Sequence, residues 1–167
     1  LTNIIETGGG NNWWRPGLFD QKIKFLLPDE LRIISAPPKQ EENYNCFALA
    51  FGLQNDPDFQ GGHNPIQQEF IKYLMLHNIL TPVDTPSVGD VIFYENDRHE
   101  ITHGGIARAD GTVISKWMWG STIIHKLLDV PSSFGDKISF FKLLSAEEIK
   151  NQYFIYKNTG ADIKPIG

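Results

Sequence analysis

Residues 46–53, Cys-Phe-Ala-Leu-Ala-Phe-Gly-Leu, are apolar almost without interruption. A helix that is apolar all round has no face to give to water, so this segment predicts a short helix covered on every side. The rest of the chain must supply that cover. Asn43 or Asn45 can cap its start, because an Asn side chain accepts from the free N–H groups of a first turn. Gly52 and Asp56-Pro57 mark its end. A second helix is predicted over residues 65–79, with Pro65 suited to a first turn and Ile66, Phe70, Leu74 and Met75 near 3.6-residue spacing.

After Pro82 and Pro86 the pattern changes to short strands. These are Val91–Tyr94, Ile101–Ala107, Thr112–Trp117 and Ile138–Leu144, with Gly and Asp between them as hairpins require. Ala146–Tyr156 predicts a final helix. Helices followed by an antiparallel meander define an α+β architecture. Residues 1–40 are irregular, with Gly8-Gly9-Gly10, Pro28 and Pro37-Pro38, and short candidate elements around Ile23–Leu27 and Leu31–Ile34. They are expected to form an N-terminal extension that wraps the core, leaving residues 41–167 as one catalytic domain.

A formal net charge of −5 gives nonspecific nucleic-acid binding no electrostatic footing. No apolar run approaches the roughly 20 residues that span a bilayer, and no signal peptide is visible. Leu1 in place of Met suggests a processed product or an excised domain, which leaves localisation open. The one cysteine rules out an intramolecular disulfide and a Cys-rich zinc site.

A lone cysteine is most often a small buried hydrophobe. Cys46, however, stands at the predicted start of a buried helix. A thiol attacks as the thiolate, and a helix N-terminus favours that ion while offering N–H groups to an oxyanion.

The surrounding motifs give this a family likeness. Tyr44-Asn45-Cys46-Phe47-Ala48-Leu49 resembles the Tyr-Asp-Cys-Ser-Gly-Leu nucleophile motif of NlpC-type peptidases. Ser87-Val88-Gly89-Asp90-Val91-Ile92-Phe93-Tyr94 resembles their Pro-Gly-Asp-Leu-Val-Phe-Phe strand. Ile101-Thr102-His103-Gly104-Gly105-Ile106, running on to Asp110-Gly111, resembles their Thr-His-Val-Gly-Ile…Asp-Gly hairpin. The three occur in the family's order over about residues 43–117. The resemblance, shared with CHAP amidases, implies a papain-like fold, with the nucleophile at a helix start packed on an antiparallel sheet. It implies Cys46 as nucleophile, His103 as general base and a third polar residue orienting the imidazole, with the Tyr44 hydroxyl assisting near the oxyanion. No cofactor and no metal are implied.

The family commonly carries His at the third position, and the aligned residue here is Ser115. Strand register bears on the same choice. A two-residue turn at Asp110-Gly111 would put His103 on a face with Lys116. A three-residue loop over Ala109-Asp110-Gly111, with Gly111 left-handed, would put it with Ser115. The second geometry agrees with the alignment and is favoured. A Ser hydroxyl fixes an imidazole tautomer but cannot stabilise the imidazolium by charge. His125 is the alternative third residue, against a plain expectation that it lies on the surface.

His99-Glu100-Ile101-Thr102-His103 also matches H-E-x-x-H, the zinc metallopeptidase signature, which needs a helix. β-branched Ile101 and Thr102, with Gly104 and Gly105 next, oppose a helix there.

The leading expectation is therefore a thiol hydrolase that cleaves a peptide or amide bond through a Cys46 thioester. Its expected substrate is a peptide or amide, such as peptidoglycan or a target-cell protein. A cell-wall peptidase and a secreted or delivered bacterial toxin or effector domain both suit it. The alternatives are a non-catalytic binding module on the same fold and a zinc metallopeptidase. Trp13, Trp14, Trp117 and Trp119 could line a groove, although core packing is the commoner use of such residues.

Overall fold

A computed structural model describes residues 25, 27–117 and 120–159. Trp13, Trp14, Trp119 and most of the expected N-terminal extension lie outside the described residues.

Seven strands form one antiparallel sheet: β1 (Arg32–Ser35), β2 (Thr81–Val83), β3 (Val91–Glu95), β4 (Ile101–Ala107), β5 (Thr112–Lys116), β6 (Thr122–Lys126) and β7 (Lys137–Lys142). Their order across the sheet is β1-β6-β5-β4-β3-β7-β2. Among the described residues the α-helices are α1 (Cys46–Ala50), α2 (Gln68–Leu76) and α3 (Ala146–Asn158). The α+β expectation holds, with the early helices packed on a large antiparallel sheet.

Each helix ends where its local chemistry requires. Asn45 caps α1, its side chain accepting from the Ala48 N–H at 3.0 Å and donating to the Ile66 carbonyl at 2.7 Å. α1 closes earlier than the apolar run suggests, because Gly52 N–H bonds to Leu49 O and Leu53 N–H to Ala48 O. This paired C-terminal closure satisfies the last carbonyls. α2 begins at Gln68 rather than Pro65 and ends with the same closure, built on Asn78 at φ 53°. A capping box between Ser145 and Glu148 starts α3.

The sheet divides the interior into two layers. Along β3, Val91 and Phe93 face one side, where the helices pack with Phe47, Phe51, Phe70, Leu74 and Tyr153. Ile92 and Tyr94 face the other side, with Leu31, Val113, Trp117, Ile123 and Phe134. This alternation is the ordinary consequence of the strand pleat.

Two strands escape the sequence-based expectation. β6, Thr-Ile-Ile-His-Lys, is buried along its first four residues, so it lacks the apolar–polar alternation that marks a half-exposed strand. β2 is three residues long and contains Pro82, which is tolerated because β2 is an edge strand. The candidate element near Leu31–Ile34 is β1, which pairs with β6 at the other edge and so draws part of the expected extension into the sheet.

Candidate functional site

Cys46 is the first residue of α1, and α1 lies against β4 and β5. Close approach is possible because β4 carries Gly104 there: a Cβ on Gly104 would sit 3.0 Å from Phe47 Cδ1 and 3.4 Å from Ala50 Cβ. Cys46 is 8% exposed. Burial pushes it up to about 11, while the backbone N–H groups of Gly104, Phe47 and Cys46 and the charge of Lys116 pull the other way. At neutral pH the resting group is therefore a protonated thiol.

Lys116 ends β5 on the same side of the sheet. It is fully buried, its Nζ donates to the Gly120 carbonyl, and Nζ lies 4.9 Å from the centroid of the Tyr44 ring. Burial lowers this amine to about 7, with Cys46 opposing the shift. Tyr44, Cys46 and Lys116 thus form one cluster beneath the start of α1.

His103 lies in the other layer. It pairs with Tyr94 across β3–β4, and Tyr94 faces away from the helices. Its ring stacks on Phe134 with centroids 4.1 Å apart and planes 18° apart. Nε2 is buried and has no hydrogen-bond partner among the described residues. Burial holds this imidazole well below its usual range, and His125 pushes in the same direction.

Ser115, Trp117 and His125 occupy this second layer too. The Ser115 Oγ and His125 Nε2 are 2.7 Å apart, the Trp117 Nε1–H donates to Ser115 Oγ at 3.1 Å, and His125 Nδ1 is 2.7 Å from the Lys126 carbonyl. A carbonyl only accepts, so Nδ1 carries the hydrogen. Nε2 then accepts from the Ser115 hydroxyl, and one tautomer satisfies the whole chain. Burial lowers the His125 pKa, against the Lys126 carbonyl and Asp129.

Several sequence expectations can now be placed. The β4–β5 connection is the three-residue loop, with Gly111 at φ 75° and Ala107 opposite Val113. Ser115 accordingly shares a face with His103, and Lys116 does not. The expected Ser115–His103 bond is replaced by Ser115–His125. His125, expected at the surface, is buried because β6 is an interior strand of the sheet. The expected Cys46–His103 pairing meets a geometric obstacle: Cys46 belongs to the layer on the α1 side of the sheet, and His103 projects with Tyr94 into the other layer. His103 and Gly104 are neighbours on β4, and it is Gly104 that faces α1.

Asn45 is a helix cap with both ends of its amide engaged. The H-E-x-x-H residues run from a turn into a strand, with His99 at φ 60°, exposed and paired with Glu95 at 2.8 Å. The helix that a zinc ligand pair requires is absent at that place. Trp117 is core, fully buried, as the commoner use of Trp suggests. Two surface clefts, one beside Phe70, Tyr153 and Tyr156 and one beside Asn96, Pro131 and Asp136, include neither Cys46 nor Lys116 among their lining residues. Among the described residues no helix is long and apolar enough to cross a membrane, and no group of three or more His, Cys, Asp or Glu could hold a metal ion.

Lys116 as a neighbour of Cys46 was the feature least visible in sequence. A signal existed: Gly104 is where a helix can approach β4, and pleating then puts its cross-strand neighbour Lys116 on the helix side and His103 on the other.

Fold and cluster together define an α+β protein whose described α-helices pack on one face of a seven-stranded antiparallel sheet, with a buried thiol and a buried amine on the α1 side. The chain belongs to the family described as Domain of unknown function (DUF7689), whose model matches residues 34–142. That span contains Tyr44, Cys46, His103, Ser115, Lys116 and His125, while α3 lies beyond it. No curated protein and no solved structure matches the chain.

Proposed function

We propose that this chain is a thiol hydrolase that cleaves a peptide or amide bond through a thioester on Cys46, on a papain-like variant of the α+β fold. The observation that carries the reading is the place of Cys46: it is the first residue of a buried helix whose Phe47 and Ala50 lie over Gly104 of β4, so the unbonded N–H groups of the helix start lie beside the sulfur. Such groups favour negative charge and lower the cost of ionising the sulfur. Once substrate is present, the free N–H groups of the first turn are also where an oxyanion would be held. A peptide stem of peptidoglycan or a target-cell protein suits this chemistry. A bacterial toxin, effector or cell-wall peptidase would be its biological setting.

A second reading, a non-catalytic module on the same fold, draws on two observations. The thiol is raised to about 11, and His103 faces the opposite layer. Mass spectrometry of intact protein after exposure to candidate peptides separates the two. A covalent acyl adduct on Cys46, absent in Cys46→Ala, supports the hydrolase. Peptide binding with no adduct under any condition supports the module.

A further inference from the structure

We infer that Lys116, rather than a histidine, is the proton acceptor for Cys46, an inference that rests on the thiol-hydrolase reading. Placement carries it. β5 alternates so that Ser115 projects into the far layer and Lys116 toward α1. In its cross-strand row Lys116 stands opposite Thr122 on β6, and the β4–β5 register continues to Gly104 on the other side. Neither neighbour is charged. The titratable groups on this side are Tyr44, whose ring centroid lies 4.9 Å from Nζ, and Cys46, the first residue of α1, whose charge bears on the amine.

A lysine in this position is unusual. It is fully buried, and among the described residues no carboxylate pairs with it. An unpaired buried ammonium is costly, and the structure relieves that cost by favouring the free amine. With the amine lowered to about 7, a substantial share carries a lone pair at neutral pH. The amine lies on the α1 side of the sheet, with Nζ 4.9 Å from the ring centroid of Tyr44, two residues before the protonated Cys46 thiol, which places a base on the side of the sheet where a general base is required.

The steps balance as follows. The Lys116 Nζ lone pair takes the Cys46 S–H proton as the sulfur attacks the substrate carbonyl carbon, giving a tetrahedral oxyanion and an ammonium. The oxyanion collapses, the C–N bond breaks and the ammonium returns its proton to the leaving amine. A water then attacks the thioester and gives a proton to Nζ. That proton passes to sulfur as the acid departs. Proton transfer accompanies attack, so no standing thiolate is required and the high resting pKa of Cys46 is compatible with catalysis.

The test uses p-nitrophenyl acetate as acyl donor, because the reaction is followed by released nitrophenolate and by acetylation of Cys46 in the mass spectrum. The expected acylation rate rises through a limb near pH 7 in the unmodified protein and in His103→Ala. The limb is expected to be lost in Lys116→Met and Lys116→Arg, with acylation at pH 7 slowed at least tenfold. Thermal melts confirm that each variant is folded, and Lys116→Arg keeps the charge should Lys116→Met repack. A limb that survives in both Lys116 variants, or disappears in folded His103→Ala, overturns the role of Lys116 and leaves Cys46 as nucleophile. Absence of Cys46 acetylation in the unmodified protein at every pH overturns the hydrolase reading and the Lys116 role with it.

Discussion

Ser115 and His125 join β5 to β6 through a 2.7 Å bond between Oγ and Nε2, in the layer of the sheet that faces away from Cys46. The bond sits within a buried chain from the Trp117 indole to the Lys126 carbonyl in which every polar atom has a partner. Removing one member strands the others. Ser115→Ala and His125→Ala should each destabilise the fold by about 1–3 kcal/mol, with the loss at His125 enlarged by the cavity it leaves. Urea unfolding of both variants and of the double variant measures this, and the double-variant cost should fall short of the sum because the two residues share one network. Fully additive costs would mean that the bond contributes nothing.

His103 and His125 should make the protein acid-sensitive. Both have folded-state pKa values lowered mainly by burial. The unfolded chain therefore binds more protons below its ordinary value of 6.5, and stability falls as pH drops through that value. It stops falling once the pH is below the folded values. Unfolding midpoints between pH 8 and 4 should show this decline, and His125→Gln should flatten part of it. A midpoint that stays level from pH 7 to 5 in the unmodified protein would contradict the burial of both rings.

Lys116 carries the opposite trade between stability and chemistry. Its folded pKa of about 7 against an ordinary 10.5 means that the unfolded chain holds more protons between those values. Its contribution to stability therefore improves as pH rises from about 7 to 10.5, whereas Cys46, raised from 9.0 to about 11, loses stability between those two values. Lys116→Met should stabilise the protein at pH 7 by roughly 1–3 kcal/mol and by less at pH 10, as expected when a costly buried cation is replaced by a side chain of similar length. Chemical denaturation at the two pH values tests the sign.

Gly104 and Gly105 should differ in what their substitution harms. A Cβ on Gly104 meets the Phe47 ring edge at 3.0 Å, a side-chain contact that a rotation of the ring can ease. A Cβ on Gly105 meets Val113 Cγ1 at 2.6 Å and the Ile114 carbonyl at 2.8 Å, and backbone cannot yield as a side chain does. Gly105→Ala should cost more stability than Gly104→Ala, each in the range of about 1–3 kcal/mol typical of overpacking. Gly104→Ala should also displace α1 and change the alkylation rate of Cys46. Calorimetry and iodoacetamide kinetics on the two variants would show whether that division holds.

Replacing the cap of α1 should loosen the start of the same helix. Asn45→Ala removes the bond to Ala48 N–H and the bond to the Ile66 carbonyl, for a loss of about 1–2 kcal/mol. Hydrogen exchange at Ala48 and Leu49 should accelerate before global unfolding does.

Much of the fold was legible in residue order because its signals are local. The run at 46–53, the cap at Asn45, the hairpin loop closed by Gly111 and the final helix from Ala146 all rest on signals within a few residues, and each appears close to where the sequence puts it. β6 was not legible, because a strand buried on both faces has no alternation to betray it. With β6 missing, His125 had no strand to place it indoors, and Ser115 had no partner except His103.

The amino-acid sequence by itself determined the α+β class, the helix that presents Cys46 and the face shared by His103 and Ser115. Local propensity and pleat parity are properties of neighbouring residues, which is why they could be read there. Only the tertiary structure decided which face of β4 receives α1. That depends on where a helix backbone finds room, and the room lies over Gly104. The choice puts Lys116 on the same side of the sheet as Cys46 and leaves His103 and His125 in the opposite layer.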